Sequence, residues 1–191
     1  MKKFMLCIAV LCLSACIPVA DFGAYWDKGT VDHALQGKWE EVTSDPAKKG
    51  EMKITEKDGV DYFESLAEED KKKEREEITA RSLKAGSYTF LMAIDKSDIA
   101  TGKDKNHPPI KGLIRYEVKD GVFRQYTLND IPTVAFLKEK YPDAKNIEVK
   151  KFMSSDSIEV KTLDDEAFKI LSDIPDTGVF WKLQGEWHKA P

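Results

Sequence analysis

The sequence predicts a mainly β domain, an antiparallel up-and-down meander that closes into a barrel or a strongly curved half-barrel. From residue 35 onward, short runs of alternating apolar and polar residues follow one another, and turn-forming residues separate them. Strands that pair with their neighbours in sequence form a meander, and a long meander tends to curl because exposed edges invite aggregation. Helical signals are confined to two short stretches near the C-terminal third.

The chain opens with a short hydrophobic leader. Lys2 and Lys3 precede an apolar run from Phe4 to Leu13, and small residues follow before Cys16. This order is that of a secretory signal peptide. The run covers about half of the roughly 20 residues that a membrane-spanning helix needs, so a transmembrane anchor is the weaker interpretation. Leu13-Ser14-Ala15-Cys16 resembles the lipobox of bacterial lipoproteins, and the resemblance implies removal of residues 1–15 and acylation of Cys16.

The same resemblance implies a location in the bacterial cell envelope. Two acyl chains, such as palmitate, give stable anchoring, so the mature protein is expected to sit on a bilayer without crossing it. Ile17 follows the acylated residue. In enterobacterial sorting, an Asp at this position retains a lipoprotein at the inner membrane, so its absence favours the periplasmic face of the outer membrane.

Residues 16–34 are expected to form the acylated Cys and a short tether, and residues 35–191 a single β-rich domain. The tether contains Phe22, Tyr25 and Trp26. These are more aromatic residues than a flexible Gly/Ser linker carries. We expect the rings to pack on the domain, with contact to the membrane interface as the alternative.

Turn chemistry defines the strands. Asp58-Gly59 and Asp120-Gly121 are type I′ hairpin signals, because Gly adopts positive φ at little cost. In the run from Tyr88 to Ile94, apolar residues occupy both faces, which is typical of a central strand covered on both sides. The predicted strands are Trp39–Val42, Glu51–Glu56, Val60–Leu66, Ile78–Lys84, Tyr88–Ile94, Arg115–Val118, Val122–Leu128, Ile147–Met153, Ser157–Thr162 and Val179–His188.

Two helices and two loops complete the prediction. Asp130 before Ile131-Pro132 fits a helix start, and Thr162 or Asp164 could cap a second helix. The ten consecutive charged residues Glu68–Glu77 cannot be buried, so they predict a solvated loop, a long hairpin tip or a short exposed helix. A docking surface is the functional alternative. Residues 98–109 are expected to form an irregular loop.

Gly37-Lys38-Trp39, at the start of the first predicted strand, resembles the Gly-x-Trp motif of lipocalins, whose Trp closes one end of the barrel. The second lipocalin motif has no clear match, and the helices interrupt the last strands. By position, Lys182 is the candidate for the family's late basic residue. Leu35-Gln36-Gly37-Lys38-Trp39 is echoed by Leu183-Gln184-Gly185-Glu186-Trp187. The echo predicts that the first and last barrel strands are neighbours.

Composition excludes several functions. Loss of Lys2 and Lys3 with the signal changes the formal net charge from -4 by two units, to -6, and nothing indicates a nucleic-acid partner. His33, His107 and His188 lack metal-ligand spacing, so no metal is predicted. Nucleophile elbows and phosphate-binding glycine loops are absent, and no Cys remains as a nucleophile beyond the acylated one. No cofactor and no enzymatic activity are predicted.

The sequence leaves two classes of function open. The first is a membrane-tethered, non-catalytic binding module that takes a small apolar molecule or an envelope protein. The second is a structural, accessory or immunity/inhibitor-type lipoprotein that acts through its surface. A ligand cavity would be lined by the following large side chains, although composition favours plain core for each of them: Trp39, Tyr88, Phe90, Met92 and Tyr116.

Overall fold

A computed structural model describes residues 16–43, 50–65, 78–95, 109–152 and 155–191. Within these residues the fold is mainly β, as the sequence predicts: eight antiparallel strands close into a barrel, consistent with a lipocalin-like fold, and three short α-helices accompany them. The predicted signal sequence, the charged run Glu68–Glu77 and most of the predicted loop at 98–109 lie outside the described residues.

The strands are β1 (Ile17–Asp21), β2 (Gly37–Glu41), β3 (Glu51–Lys57), β4 (Val60–Ser65), β5 (Ile78–Ala85), β6 (Tyr88–Asp95), β7 (Ile110–Lys119), β8 (Val122–Leu128), β9 (Ile147–Phe152), β10 (Ser155–Thr162) and β11 (Trp181–Lys189). The α-helices are α1 (Tyr25–Lys28), α2 (Asp130–Lys140) and α3 (Asp165–Ser172), and a 3-10 turn spans His33–Leu35.

The barrel runs from β2 to β8 in chain order and is completed by β11, which pairs with both β8 and β2. Trp187 lies opposite Glu41, and Lys189 lies opposite Trp39. The prediction that the first and last barrel strands are neighbours is therefore confirmed.

Both Asp-Gly turns have the backbone that the sequence predicts. Asp58 and Gly59 have φ of 54° and 73°, and Asp120 and Gly121 have φ of 52° and 74°. Two consecutive positive φ values define the type I′ turn, whose twist matches that of the strands it joins. These local turns fix the β3–β4 and β7–β8 pairings.

A three-stranded extension is attached to the barrel at β7. There β1 pairs antiparallel with the start of β7 and parallel with β10, and β9 pairs with β10. Residues 17–28 thus belong to the folded domain, in contrast to the expected tether. Phe22 and Tyr25 are buried, and the Trp26 ring stacks on that of Phe22, so the aromatic residues pack on the domain as expected.

The apolar residues divide into two cores on opposite faces of the barrel wall. The inner core fills the barrel, and the outer core lies between the wall and the covering elements β1, β9, β10, α2 and α3. β6 contributes Leu91 and Ala93 to the inner core and Phe90 and Met92 to the outer core. The strand is central and covered on both faces, as predicted.

Both predicted helices are present. The Asp164 side chain accepts a hydrogen bond from Ala167 N at 2.8 Å and caps α3. In α2 the N-cap is Asn129 rather than Asp130, and its side chain makes no capping bond. Pro132 lies in the first turn of α2, where its missing N–H leaves no bond unmade.

Candidate functional site

The barrel interior is filled by side chains. Leu35, Trp39, Met52, Leu91 and Phe123 are each 0% exposed, so no water-sized void lies against these side chains. An eight-stranded barrel is just wide enough to be packed by its own residues or to hold one small ligand. The large inward side chains of this barrel produce the packed form around these five residues.

Two of the five predicted cavity residues lie in this inner core. Trp39 packs against Phe123 with ring centroids 5.8 Å apart, and Tyr116 packs against the same ring at 6.0 Å. Trp39 Nε1 donates to the carbonyl of Leu35 at 2.7 Å, which ties the 3-10 turn to the barrel. These rings make contacts within the core and line no open cavity.

The other three predicted residues, Tyr88, Phe90 and Met92, belong to the outer core. They share a face of β6, as the alternation predicts, but this face points away from the barrel interior. The structure therefore separates the predicted cavity set into two groups on opposite sides of the wall. No single ligand cavity brings the five residues together.

The basic residue that packs near Trp39 is also different from the predicted one. Lys189 Nζ lies 5.6 Å from the centre of the Trp39 ring, whereas Lys182 is exposed and pairs with Thr127 of β8. A bulge between Leu183 and Gly185 shifts the register of β11 by one residue, so positions before and after it face opposite sides.

A buried polar cluster connects the 3-10 turn to the barrel wall. Asp61, on β4, is 0% exposed, and its carboxylate accepts from Asp32 N at 3.0 Å and from Gln36 Nε2 at 2.5 Å. The Tyr116 hydroxyl donates to Asp32 Oδ2 at 2.6 Å and lies 2.7 Å from the Ser82 hydroxyl. The cluster fixes the segment that contains Leu35 over the barrel interior.

Burial changes the acidity of this cluster. Loss of hydration raises the pKa of Asp61 to about 6; the two donors oppose the rise, and the nearby Asp32 carboxylate adds to it. Burial and the hydrogen bond to Asp32 likewise raise the pKa of the Tyr116 hydroxyl. Sequence analysis missed Asp61, although its place in β4 gave a signal: it has the inward phase of Phe63, where a polar residue needs partners.

Arg115 organises an aromatic group in the outer core. Its guanidinium carbon lies 4.5 Å, 4.7 Å and 4.9 Å from the ring centres of Tyr88, Tyr126 and Trp181. Its Nη2 donates to Asp176 at 2.6 Å, and its side chain is 13% exposed. The three rings occupy the space around the cation, so the group is a packing feature and offers no opening to a ligand.

One apolar groove lies outside the barrel, between the end of α2 and strand β9. Its volume is about 230 Å³. The residues that line it are Leu137, Lys138, Tyr141, Pro142, Ala144, Ile147 and Val149. A drug-sized ligand pocket encloses roughly 300–1,000 Å³. The groove is smaller than that and suits one or two side chains of a protein.

Cys16 lies directly before β1 and against β7. A Cβ built on Gly112 would stand 2.9 Å from the Cys16 Cβ and closer still to its Sγ, so glycine at position 112 makes room for the cysteine. Burial raises the pKa of the Cys16 thiol to about 12. The residue expected to carry the lipid is thus held next to the barrel wall.

Two further observations concern metals and membranes. In the part of the chain that the structure describes, no three His, Cys, Asp or Glu side chains come together to hold a metal ion. His33 and His188 each lie beside a glutamate, at 3.7 Å from Glu56 and 3.5 Å from Glu186. No helix among the described residues has both the length and the apolar character needed to cross a membrane.

No protein-family model, curated protein or solved structure matches the chain.

Proposed function

We propose that the protein is a non-catalytic lipoprotein of the bacterial cell envelope, anchored through acylated Cys16, that binds an envelope protein through its outer surface. The observation that carries this proposal is the filled barrel. Because fully buried side chains occupy the interior beside Leu35, Trp39 and Phe123, the fold offers no lipocalin-like ligand chamber there. This packing favours an interaction surface outside the barrel.

The groove between α2 and β9 is the surface that supports this proposal best. Its lining combines the apolar side chains of Leu137, Ile147 and Val149 with the polar tips of Tyr141 and Lys138. Aromatic and aliphatic groups with a polar margin are typical of a protein contact. An accessory or inhibitor-type lipoprotein acting through its surface would use the same groove.

Cys16 is separated from the folded domain by no linker, because β1 begins at the next residue. β1 begins at Ile17, and an extended residue spans at most about 3.6 Å. Lipid on Cys16 would therefore hold the barrel close against the bilayer, on the periplasmic face of the outer membrane if the sorting resemblance applies. A partner on the same membrane would be within reach.

The anchor is tested by labelling the host with a palmitate analogue. The wild-type chain is expected to incorporate label and to fractionate with the outer membrane. Cys16→Ala removes the acylated thiol, so it should lose both properties. Labelling of the Cys16→Ala chain would overturn the proposed anchor.

The binding surface is tested by photo-crosslinking in the host. A photoreactive residue at Lys138, in the groove, is expected to give a product with a second envelope protein. The same residue at Lys182, which is exposed on β11, is the matched control and should give none. Native mass spectrometry of the purified chain separates the alternatives, because a bound species of a few hundred daltons would instead favour a small apolar ligand.

A further inference from the structure

β9 is the last strand of the sheet in the described part of the chain, with β10 as its one partner there. The backbone N–H of Lys161 donates to the carbonyl of Asn146 at 2.9 Å. With the observed register, this bond directs the main-chain groups of residues 148 and 150 toward β10. The main-chain N–H and C=O groups of Ile147, Val149 and Lys151 therefore point to the open edge of the sheet.

An open edge is a template for another strand. Its side chains decide which strand fits, because residues directly opposite each other must be compatible in charge and shape. The outer face of β9 carries Glu148 and Lys150, one on each side of Val149. When a second copy of the strand is turned through 180° about Val149, its Lys150 lies opposite Glu148 of the first copy, and its Glu148 lies opposite Lys150.

We propose that two copies of the chain associate through β9, antiparallel, with Val149 of one copy opposite Val149 of the other. In this register Glu148 of each copy faces Lys150 of its partner. In this register Val149 of one copy forms a hydrogen-bonded pair with Val149 of the other copy. Ile147 of each copy forms such a pair with Lys151 of the other. These are the residues whose main-chain groups face the edge, so about six hydrogen bonds join the two strands.

The outer face of β9 already forms ion pairs with β10, and the proposed register adds ion pairs between the two copies. Lys150 is paired with Glu159 of β10, and Glu148 lies 2.5 Å from Lys161. The Lys150 and Glu148 side chains remain 53% and 39% exposed, so each can meet a second partner. Joining two copies produces alternating charges across four strands.

Other two-fold registers fit less well. Centring the pair on Lys151 places two lysines opposite each other, which is unfavourable. Centring it on Ile147 leaves Lys150 and Lys151 beyond the paired segment. In the Val149 register the apolar face of β9, beside the groove, is continued by Val149 of the second copy. The stem of Lys151 covers Ile147, and its ammonium group stays in solvent.

The test uses the chain from Cys16 onward, which contains every described element, with Cys16→Ser so that no disulfide can join two copies. Sedimentation analysis is expected to show a dimer that dissociates on dilution. Val149→Pro removes an N–H at the open edge and none used by β10, so it should give a folded monomer. A far-UV spectrum like that of the parent chain verifies the fold.

Charge exchange tests the register itself. Glu148→Lys and Lys150→Glu, made singly, each place like charges opposite one another and should raise the dissociation constant about tenfold. The double variant restores opposite charges across the interface and should recover most of that loss. Lys53→Glu is the matched control, since β3 is paired on both sides, and it should leave the dissociation constant unchanged. A chain that stays monomeric, or a dimer indifferent to Val149→Pro, would overturn the proposal.

Discussion

The ring of Trp187 lies over Gly185 on β11, in the space that a larger residue at position 185 would need. A Cβ built on Gly185 would stand 2.7 Å from Cζ3 of the ring and closer still to Cη2. This contact follows the bulge between Leu183 and Gly185, which turns Trp187 into the inner core beside Phe123. The glycine thus allows β11 to place Trp181 in the outer core and Trp187 in the inner core.

Gly185→Ala is expected to lower the free energy of unfolding by about 1–3 kcal/mol, because the ring or the backbone must move to admit the methyl group. Gly178→Ala is the matched control, since nothing lies within 4 Å of its Cβ position. It should change stability by less than about 0.5 kcal/mol. Urea unfolding measures both, and equal effects would contradict the assignment.

Tyr116→Phe should lower the free energy of unfolding by about 1–3 kcal/mol, because Ser82 and Asp32 lose a buried hydrogen-bond partner. Tyr126→Phe also removes a tyrosine hydroxyl, but this hydroxyl donates to Glu117 Oε2 at 3.3 Å in an exposed position. That control is expected to stay within about 0.5 kcal/mol of the wild type. Thermal or urea unfolding can rank the pair, and a more costly Tyr126→Phe would refute the prediction.

The raised pKa of Asp61 predicts a pH dependence of stability. The folded-state pKa of about 6 exceeds the ordinary value of 3.8, so the folded protein binds this proton more tightly than the unfolded chain. The contribution of Asp61 to stability is therefore full below about pH 4 and is lost as the pH rises to about 6. At about 1.4 kcal/mol per pKa unit, the amount lost is about 3 kcal/mol.

Asp61→Asn removes this titration. The free energy of unfolding of the wild type minus that of the variant should consequently be larger at about pH 4 than at about pH 8. Comparing the two proteins at each pH cancels the titration of the other carboxylates. Urea unfolding across this range gives the result, and a difference that stays constant or grows with pH would show that Asp61 is not buried as described.

Arg115→Lys should destabilise the protein by about 1–2 kcal/mol, because an ammonium group cannot stack flat on several rings as a guanidinium does. Asp176→Asn removes only the partially exposed ionic partner of Arg115, and we expect a loss below about 1 kcal/mol. Fluorescence of Trp181 should change in the arginine variant and remain similar in the other. If Asp176→Asn were the more costly substitution, the ion pair rather than the ring packing would hold this group together.

Local chemistry explains what the sequence predicted correctly. The two Asp-Gly turns, the Asp164 cap and the alternation in β6 depend on residues near one another in the chain, and the structure contains them all. The repeated Leu-Gln-Gly-x-Trp pattern also identified β2 and β11 as neighbours.

Features set by distant contacts could not be predicted in the same way. Alternation shows that β6 is covered on both faces, but it does not show which face points into the barrel. It therefore cannot place Tyr88, Phe90 and Met92 in the outer core, where the structure has them. The bulge at Gly185 reverses which face of β11 each later residue lies on, and position in the sequence alone does not reveal it. Lys189, not Lys182, is therefore the basic residue beside Trp39. The short strand β1 has no sequence-local partner.

The pairing of β1 with β10 also has a consequence for the order of folding. Tyr25 and Asp165, which are hydrogen-bonded beside these strands, are 140 positions apart. In a chain that emerges N-terminus first, Ile17–Asp21 can pair with β7 early but must wait for β10 on its other edge, so the outer core is completed late. The complete chain is therefore a condition for finishing the fold, and a product truncated before β10 would leave one edge of its first strand open to aggregation.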